Sequence, residues 1–120
     1  MDEREVRARA RAIASVQGVG QALAAGTLPQ RADVTLSEGV VVGLLKQGVR
    51  KFFGLLGHGV TDIGEILRVY SEEGALRFLQ CRNEVAMAHA ATALAWIYGE
   101  TPAVLCSIGP GSLQAYAGSL

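Results

Sequence analysis

Three short apolar runs alternate with longer helical patterns, and this alternation constrains the fold more than any other feature of the sequence. The apolar runs are "VRKFFGLLG" (49–57), "ALRFLQC" (75–81) and "PAVLCSIG" (102–109). The helical patterns are "TDIGEILRVYSEEG" (61–74), "NEVAMAHAATALAWIYG" (83–99) and "PGSLQAYAGSL" (110–120). Strands that alternate with helices form parallel sheets covered by helices. We therefore predict an α/β, three-layer fold: a parallel sheet with helices on both faces.

The chain begins with a charged amphipathic segment, which we predict to be one helix over residues 2–25. Glu3 and Arg7, like Glu5 and Arg9, are acid-then-base pairs four residues apart. This order is the favourable one on a helix surface.

Within that helix, the run "RARARA" (7–12) resembles a phosphate-binding surface. Nearby acids balance its charge, so we interpret the run as a solvated helix face. "GTLPQRAD" (26–33) has the composition of a linker. We therefore divide the chain into an N-terminal helix and linker (1–33) and a domain (34–120).

A second helix is predicted to begin after Thr35. Thr35 and Glu38 have the spacing of a capping box, in which each side chain satisfies a free backbone N–H at the helix start. Gly48 is suited to end this helix.

The composition excludes several classes of protein. The chain has 120 residues, enough for one domain, and its 11 basic and 11 acidic residues cancel. A nucleic-acid binder usually has a basic excess, so no nucleic-acid partner is predicted. No apolar run reaches the length of a membrane-spanning helix, so no membrane is predicted either.

Cys81 and Cys106 match no metal or redox spacing. We interpret them as apolar packing residues, which fits a cytoplasmic, reducing compartment.

Ligands of parallel α/β sheets bind outside the carboxyl ends of the strands. Three segments fall at these ends in the predicted fold: "GHGV" (57–60), "CRNE" (81–84) and "IGPG" (108–111). We expect the chemistry of the molecule to be found there. Three strands alone would leave two unpaired sheet edges, so we also expect the sequence to be part of a longer protein.

The glycine-rich turns at these ends match no complete phosphate-binding motif. "GHGVTDIG" lacks the third glycine of a dinucleotide fingerprint because Asp62 stands there. This argues against a dinucleotide-binding dehydrogenase domain. "GPG" (109–111) begins a helix whose free N–H groups could face an anion, but no Walker lysine follows. For both turns, a rigid strand-to-helix connection is the structural alternative.

Three side chains capable of chemistry lack the partners that would make them reactive. His58 and His89 have neither the spacing nor the carboxylate partner of a metal site, so no metal ligand is predicted. Ser107 lacks the flanking glycines of a nucleophile elbow.

Glu84 is the strongest candidate for proton chemistry. An acid in a first helical turn often only complements the helix dipole. Here, however, alanines at 86, 88, 90, 91, 93 and 95 surround the helix on every side, so we predict a helix buried all round. A carboxylate beside it would be partly desolvated and its pKa raised, as in residues that transfer protons.

Three segments together resemble a known family: "FGLLGHG", "CRNEVAMAHAATALA" and "PAVLCSIGPGSLQAYAG". Their order and content are similar to the N-terminal pyrimidine-binding domain of thiamine-diphosphate enzymes of the acetolactate synthase and pyruvate decarboxylase type. The resemblance covers about Thr35 to Leu120. Within the family, the sequence of these segments is most similar to that of the trihydroxycyclohexanedione hydrolases of inositol breakdown. Acetolactate synthases usually carry proline, histidine and asparagine where this chain has His58, Asn83 and Gln114.

The resemblance implies a role for Glu84. The acid would hydrogen-bond to a ring nitrogen of the cofactor's aminopyrimidine and favour the imino tautomer. The imino nitrogen then takes the thiazolium proton, and the resulting ylid attacks a carbonyl substrate. The resemblance also implies that the two turns and Gln114 line the pyrimidine side of the site. These cofactor-binding residues are Gly57, His58, Gly59, Glu84, Gly109, Pro110, Gly111 and Gln114. His89 would lie inside the helix, either as a packing residue or as a residue that supports the site without touching the cofactor.

The resemblance further implies that this chain supplies half of a site. In the family, Mg²⁺ holds the diphosphate on a separate domain with a G-D-G motif, which is absent from this sequence. We therefore expect a homo-oligomer, at least a dimer, or a separate diphosphate-binding domain or subunit, with this chain alone inactive. The alternative is a non-catalytic association module that keeps the fold and dimerises through the alanine-rich helix.

Overall fold

The structure is a computed structural model that describes residues 2–119. Every helix and strand predicted from residue 35 onward is present, in the predicted order. The elements are α1 (Glu3–Val16), α2 (Val19–Ala24), α3 (Leu36–Lys46), β1 (Lys51–Leu55), α4 (Thr61–Glu72), β2 (Arg77–Gln80), α5 (Glu84–Tyr98), β3 (Ala103–Cys106) and α6 (Pro110–Gly118).

The three strands form one parallel sheet in the order β2-β1-β3. Phe52 of the central strand is paired with Phe78 on one side and with Ala103 on the other. The middle of β1 is buried on both faces, as its unbroken apolar run requires. The predicted α/β fold is confirmed.

Side chains alternate between the two faces of the sheet and pack into two separate hydrophobic cores. Phe52 and Phe78 belong to the larger core, under α1 to α4. Phe53 belongs to the smaller one, with Met87 and Ala91 of α5. Helices therefore cover both faces.

The N-terminal segment forms two helices, so the prediction of a single helix over 2–25 is wrong. Gln17 adopts a left-handed conformation (φ 56°), and Gly18 donates its N–H to the carbonyl of Ile13 at 3.1 Å. These contacts end α1 as a Schellman-type cap does. Gly18 was the sequence signal for the break. Residues 26–33 are irregular, as predicted, and Leu28 anchors them in the core.

The arginine run of α1 is a solvated face only in part, because Arg11 is exposed whereas Arg7 and Arg9 are partly buried. A buried seam of Val6, Ala10 and Ile13 runs along the helix, and the arginines flank it on both sides. Arg7 and Arg11 lie four residues apart and bind carboxylates at the end of α4. Their alternation with alanine therefore reflects helix packing.

The prediction of a capping box at the start of α3 is confirmed for one of its two hydrogen bonds. Thr35 Oγ1 accepts the N–H of Glu38 at 3.2 Å, as predicted. The Glu38 carboxylate, however, turns into the core, where it binds Arg9 and Tyr70. A charged donor from another helix satisfies the carboxylate better than a neutral backbone N–H does.

The prediction that α5 is buried all round is wrong for this chain. Only Met87, Ala88 and Ala91 are buried in it. His89 is exposed, and Trp96 at the far end is 84% exposed. The small residues serve instead for close approach to α6: a Cβ at Gly118 would lie 2.8 Å from the Cβ of Ala88. Within residues 2–119, no helix has both the length and the apolar character needed to cross a membrane.

Candidate functional site

At the carboxyl edge of the sheet, two of the three predicted segments lie in contact, because a Cβ at Gly59 would lie 3.4 Å from Ile108 Cγ2. Ser107, just after β3, donates its hydroxyl to the carbonyl of His58 at 3.1 Å. Gly57 lies so close that a Cβ there would be 2.8 Å from Ser107 Oγ. Glycine is therefore required at 57 for the turn to lie against β3.

Glu84 joins the third segment to this edge. It is the first residue of α5 and is partly buried. A Cβ at Gly111 would lie 2.8 Å from Glu84 Oε1. The carboxylate therefore lies directly over the first turn of α6, in a space that any larger side chain at 111 would occupy.

Asn83 holds the start of α5 in place. Its side chain accepts the N–H of Ala86 at 2.8 Å and so caps the helix. Asparagine is among the best residues at this position. This contact gives a local physical reason for asparagine at position 83.

The remaining candidate residues surround these contacts. Gly59 and Gly109 both have positive φ, 88° and 68°, so the backbone of each turn uses a conformation that glycine favours. Pro110 is the first residue of α6, the position to which its fixed φ is suited. His58 and Gln114 are exposed, and the structure records no side-chain hydrogen bond for either.

His89 does not join the site contacts. It is exposed on α5, so the interpretation as a packing residue fails within this chain. The contact of Ser107 was not predicted from the sequence, because the serine was considered only as a nucleophile. The signal was its place between a strand end and a glycine turn.

A cleft of about 640 Å³ lies at the opposite, amino-terminal edge of the sheet. Arg50, Lys51 and Arg77 line it, and Lys51 is paired with Glu100 at 2.6 Å. Three helices end there, and their partial negative charges are complemented by these cations. The positive charges around this cleft therefore match the ends of three helices. The cleft lies at the edge of the sheet opposite to the candidate residues. Residues 2–119 contain no cluster of three or more His, Cys, Asp or Glu that could hold a metal ion.

Comparison with known proteins decides the family. Residues 34–118 match the model of "Thiamine pyrophosphate enzyme, N-terminal TPP binding domain". This chain belongs to the thiamine pyrophosphate enzyme family. The matched range begins just before the cap of α3 and includes every residue of the candidate site.

Individual relatives agree with the family assignment. The chain is 38% identical over 82 residues to the acetolactate synthase isozyme 3 large subunit of Escherichia coli. It is 34% identical over 82 residues to the acetolactate synthase large subunit of Buchnera aphidicola from Acyrthosiphon pisum. It is 31% identical over 75 residues to the 2-hydroxyacyl-CoA lyase of Saccharomyces cerevisiae.

These matches cover 68%, 68% and 62% of this chain. The chain spans only about 14%, 14% and 13% of the length of those relatives. No solved structure matches the chain significantly.

Proposed function

We propose that this chain is the pyrimidine-binding part of an enzyme that makes or breaks a C–C bond next to a carbonyl. The reaction would be that of a 2-oxo acid decarboxylase or carboligase, or of a cyclic dione hydrolase. The observation that carries the proposal is the Glu84 carboxylate, which lies over Gly111 at the carboxyl edge of the sheet. The relatives include synthases and a lyase, which supports the reaction class.

The residues present fit the pyrimidine end of thiamine diphosphate. Gly57 and Gly111 let Ser107 and Glu84 lie against the two turns, and no atom lies within 4 Å of the place where a Cβ would stand at Gly109. The turns at 57–59 and 109–111, together with Gln114, would line the ring. Their exposed backbone and lack of bulk suit close contact with a flat ligand.

Glu84 would bind and hold the proton of the pyrimidine ring nitrogen. Its place in the first turn of α5, fixed by the Asn83 cap, sets the direction of the carboxylate. When bound, thiamine diphosphate supplies the nucleophilic carbon for attack on the carbonyl substrate. The protein contributes orientation and proton control.

We also propose that the chain provides half of a site. The diphosphate and Mg²⁺ would be held by another domain or subunit, in a homo-oligomer or a hetero-complex, and this chain alone would be inactive. We retain the division into residues 1–33 and a domain at 34–120, supported by the start of the family match at residue 34. The two free cysteines support a cytoplasmic location.

Replacement of Glu84 by Gln in the complete enzyme or reconstituted complex tests the role of the carboxylate. We expect turnover to fall at least about 100-fold, the usual range for loss of a general acid or base. Hydrogen–deuterium exchange at the thiazolium carbon should slow in parallel. The matched control is Glu100→Gln, which changes an acid at the opposite edge of the sheet and should leave both rates unchanged. Near-normal rates in Glu84→Gln would show that the assigned role is wrong.

The alternative is an association module. The exposed apolar side chains at the end of α5 favour it: Trp96, Ile97 and Tyr98 are 84%, 72% and 71% exposed. If the complete protein dimerised but bound no thiamine diphosphate, this alternative would replace the enzyme proposal.

A further inference from the structure

The turn at 57–60 ("GHGV") is held in place by very few polar contacts. Val60 donates its N–H to the carbonyl of Gly57 at 3.3 Å, and its own carbonyl accepts the N–H of Gly64 in α4 at 2.9 Å. Among residues 2–119, the Ser107 hydroxyl is the one side chain recorded as hydrogen-bonded to this turn. A turn with so few contacts depends strongly on each of them.

Ser107 also lies close both to the turn and to Gly111, beside which the Glu84 carboxylate lies. Its Oγ and Cβ lie 2.8 and 2.9 Å from the place that a Cβ at Gly57 would occupy. Its Cβ lies 3.8 Å from the corresponding place at Gly111, which in turn contacts Glu84 Oε1. Ser107 therefore links the turn at 57–60, called the GHG turn below, to the surface on which Glu84 lies.

The direction of the hydrogen bond excludes a nucleophilic role in this arrangement. Ser107 donates its proton to a carbonyl oxygen, which cannot act as a general base for it. Instead, the contact fixes the distance between the His58 backbone and the end of β3.

We propose that Ser107 is a positioning residue that sets the distance between the GHG turn and Glu84, and hence the affinity for the aminopyrimidine ring. This inference rests on the proposed function. Ser107 would act through the backbone of the turn, without touching the reacting atoms. It should therefore affect cofactor binding much more than turnover at saturation.

The test is Ser107→Ala in the complete enzyme, which removes only the hydroxyl. One neutral hydrogen bond contributes about 1 kcal/mol net, so the Kd for thiamine diphosphate measured with Mg²⁺ should rise about fivefold. The kcat at saturating cofactor should stay within about twofold. Amide hydrogen exchange at residues 57–60 should accelerate about fivefold, while exchange in α4 stays unchanged. The matched control is Ser15→Ala, which removes a hydroxyl bound to a carbonyl on the exposed side of α1 and should change none of these.

The possible outcomes separate this inference from the proposed function. An unchanged Kd and unchanged exchange at 57–60 in Ser107→Ala would overturn the inference and leave the role of Glu84 standing. A fall in kcat equal to the rise in Kd would also overturn it, because the serine would then act in catalysis. If the unmodified enzyme bound no thiamine diphosphate, the proposed function would fail, and the exchange measurement would still test the link between Ser107 and the turn.

Discussion

Glu38 is a charged residue in the interior of the molecule, only 1% exposed. Arg9 Nε and Nη2 each donate to it at 2.7 Å, and the Tyr70 hydroxyl donates at 2.9 Å. Burial and the hydrogen bond to Glu38 both raise the pKa of Tyr70 above its ordinary value. The three side chains thus form a satisfied polar cluster between α1, α3 and α4, and each member depends on the others.

We expect Glu38→Ala to lower the free energy of unfolding by about 3 kcal/mol, because it leaves the Arg9 guanidinium and the Tyr70 hydroxyl without their buried acceptor. Urea denaturation measures the change. Glu5→Ala is the matched control: Glu5 is also paired with Arg9, but it is exposed and 3.8 Å away, so its loss should cost less than about 0.5 kcal/mol. Equal effects of the two substitutions would contradict the buried-cluster interpretation.

These residues show what sequence spacing can predict and where it stops. The spacing of Thr35 and Glu38 correctly located the start of α3, because capping is a local property. It could not predict the direction of the Glu38 side chain, which depends on an arginine 29 residues away in the chain. Likewise, the position of Glu84 at a strand end was predictable, but its contact with Gly111 depends on how α5 and α6 pack.

Helices α5 and α6 approach each other closely through small residues. Gly118 is buried, and a Cβ there would lie 2.5 Å from the carbonyl oxygen of Val85 and 2.8 Å from the Cβ of Ala88. Neither neighbour is a flexible side-chain end, so a larger residue at 118 must push the helices apart. Because Gly111 lies on the same helix as Gly118, such a shift would also move it relative to Glu84.

We expect Gly118→Ala to lower the free energy of unfolding by about 1–3 kcal/mol, the usual cost of overpacking. In the complete enzyme it should also weaken binding of thiamine diphosphate, because the space beside Glu84 changes. Gly43→Ala in α3 is the control. A Cβ at 43 meets nothing within 4 Å, so alanine should stabilise that helix by up to about 1 kcal/mol. Denaturation curves of the two variants should therefore shift in opposite directions.

At the scale of elements, periodicity predicted the strands and helices well because each apolar run is bounded by turn residues. Two errors have physical causes. The charge pairs of residues 2–25 favoured one helix, but Gln17 and Gly18 form a cap that ends it. The alanines of α5 carried no directional pattern, so the sequence did not separate burial on all sides from close packing on one side.

At the scale of the molecule, the two faces of the sheet are covered differently. On one face, α1 and α2 pack outside α3 and α4 and make a second layer of helix. On the other face, α5 and α6 form a single layer with exposed Trp96 and Tyr116. Surfaces with several large exposed apolar side chains usually mark interaction sites. The half-site proposed above predicts a partner on this second face.

Ion pairs join α1 to the end of α4, and these should make the attachment of α1 dependent on pH. Hydrogen bonds from Arg11 and Arg7 lower the pKa of Glu73, and those from Arg7 and Arg68 lower the pKa of Glu72. A carboxylate whose pKa is lowered by folding stabilises the fold above its unfolded value, here 4.5, and loses that contribution as the pH falls through the folded value. Tyr70 acts in the opposite sense. Its raised pKa means that stability is present below its ordinary value of 10.0 and is lost as the pH rises above it.

We therefore expect the combined contribution of Glu72, Glu73 and Tyr70 to the free energy of unfolding to be constant between about pH 5 and pH 10 and to fall on both sides. Urea denaturation across pH 3 to 11 measures it. Glu73→Gln should flatten the acid limb, because the titrating group is removed. Tyr70→Phe should flatten the alkaline limb. Added salt should weaken the contacts of Arg11, which is exposed, more than those of Arg9 with buried Glu38. An acid limb unchanged in Glu73→Gln would show that the ion pairs of Glu73 do not contribute to the attachment of α1.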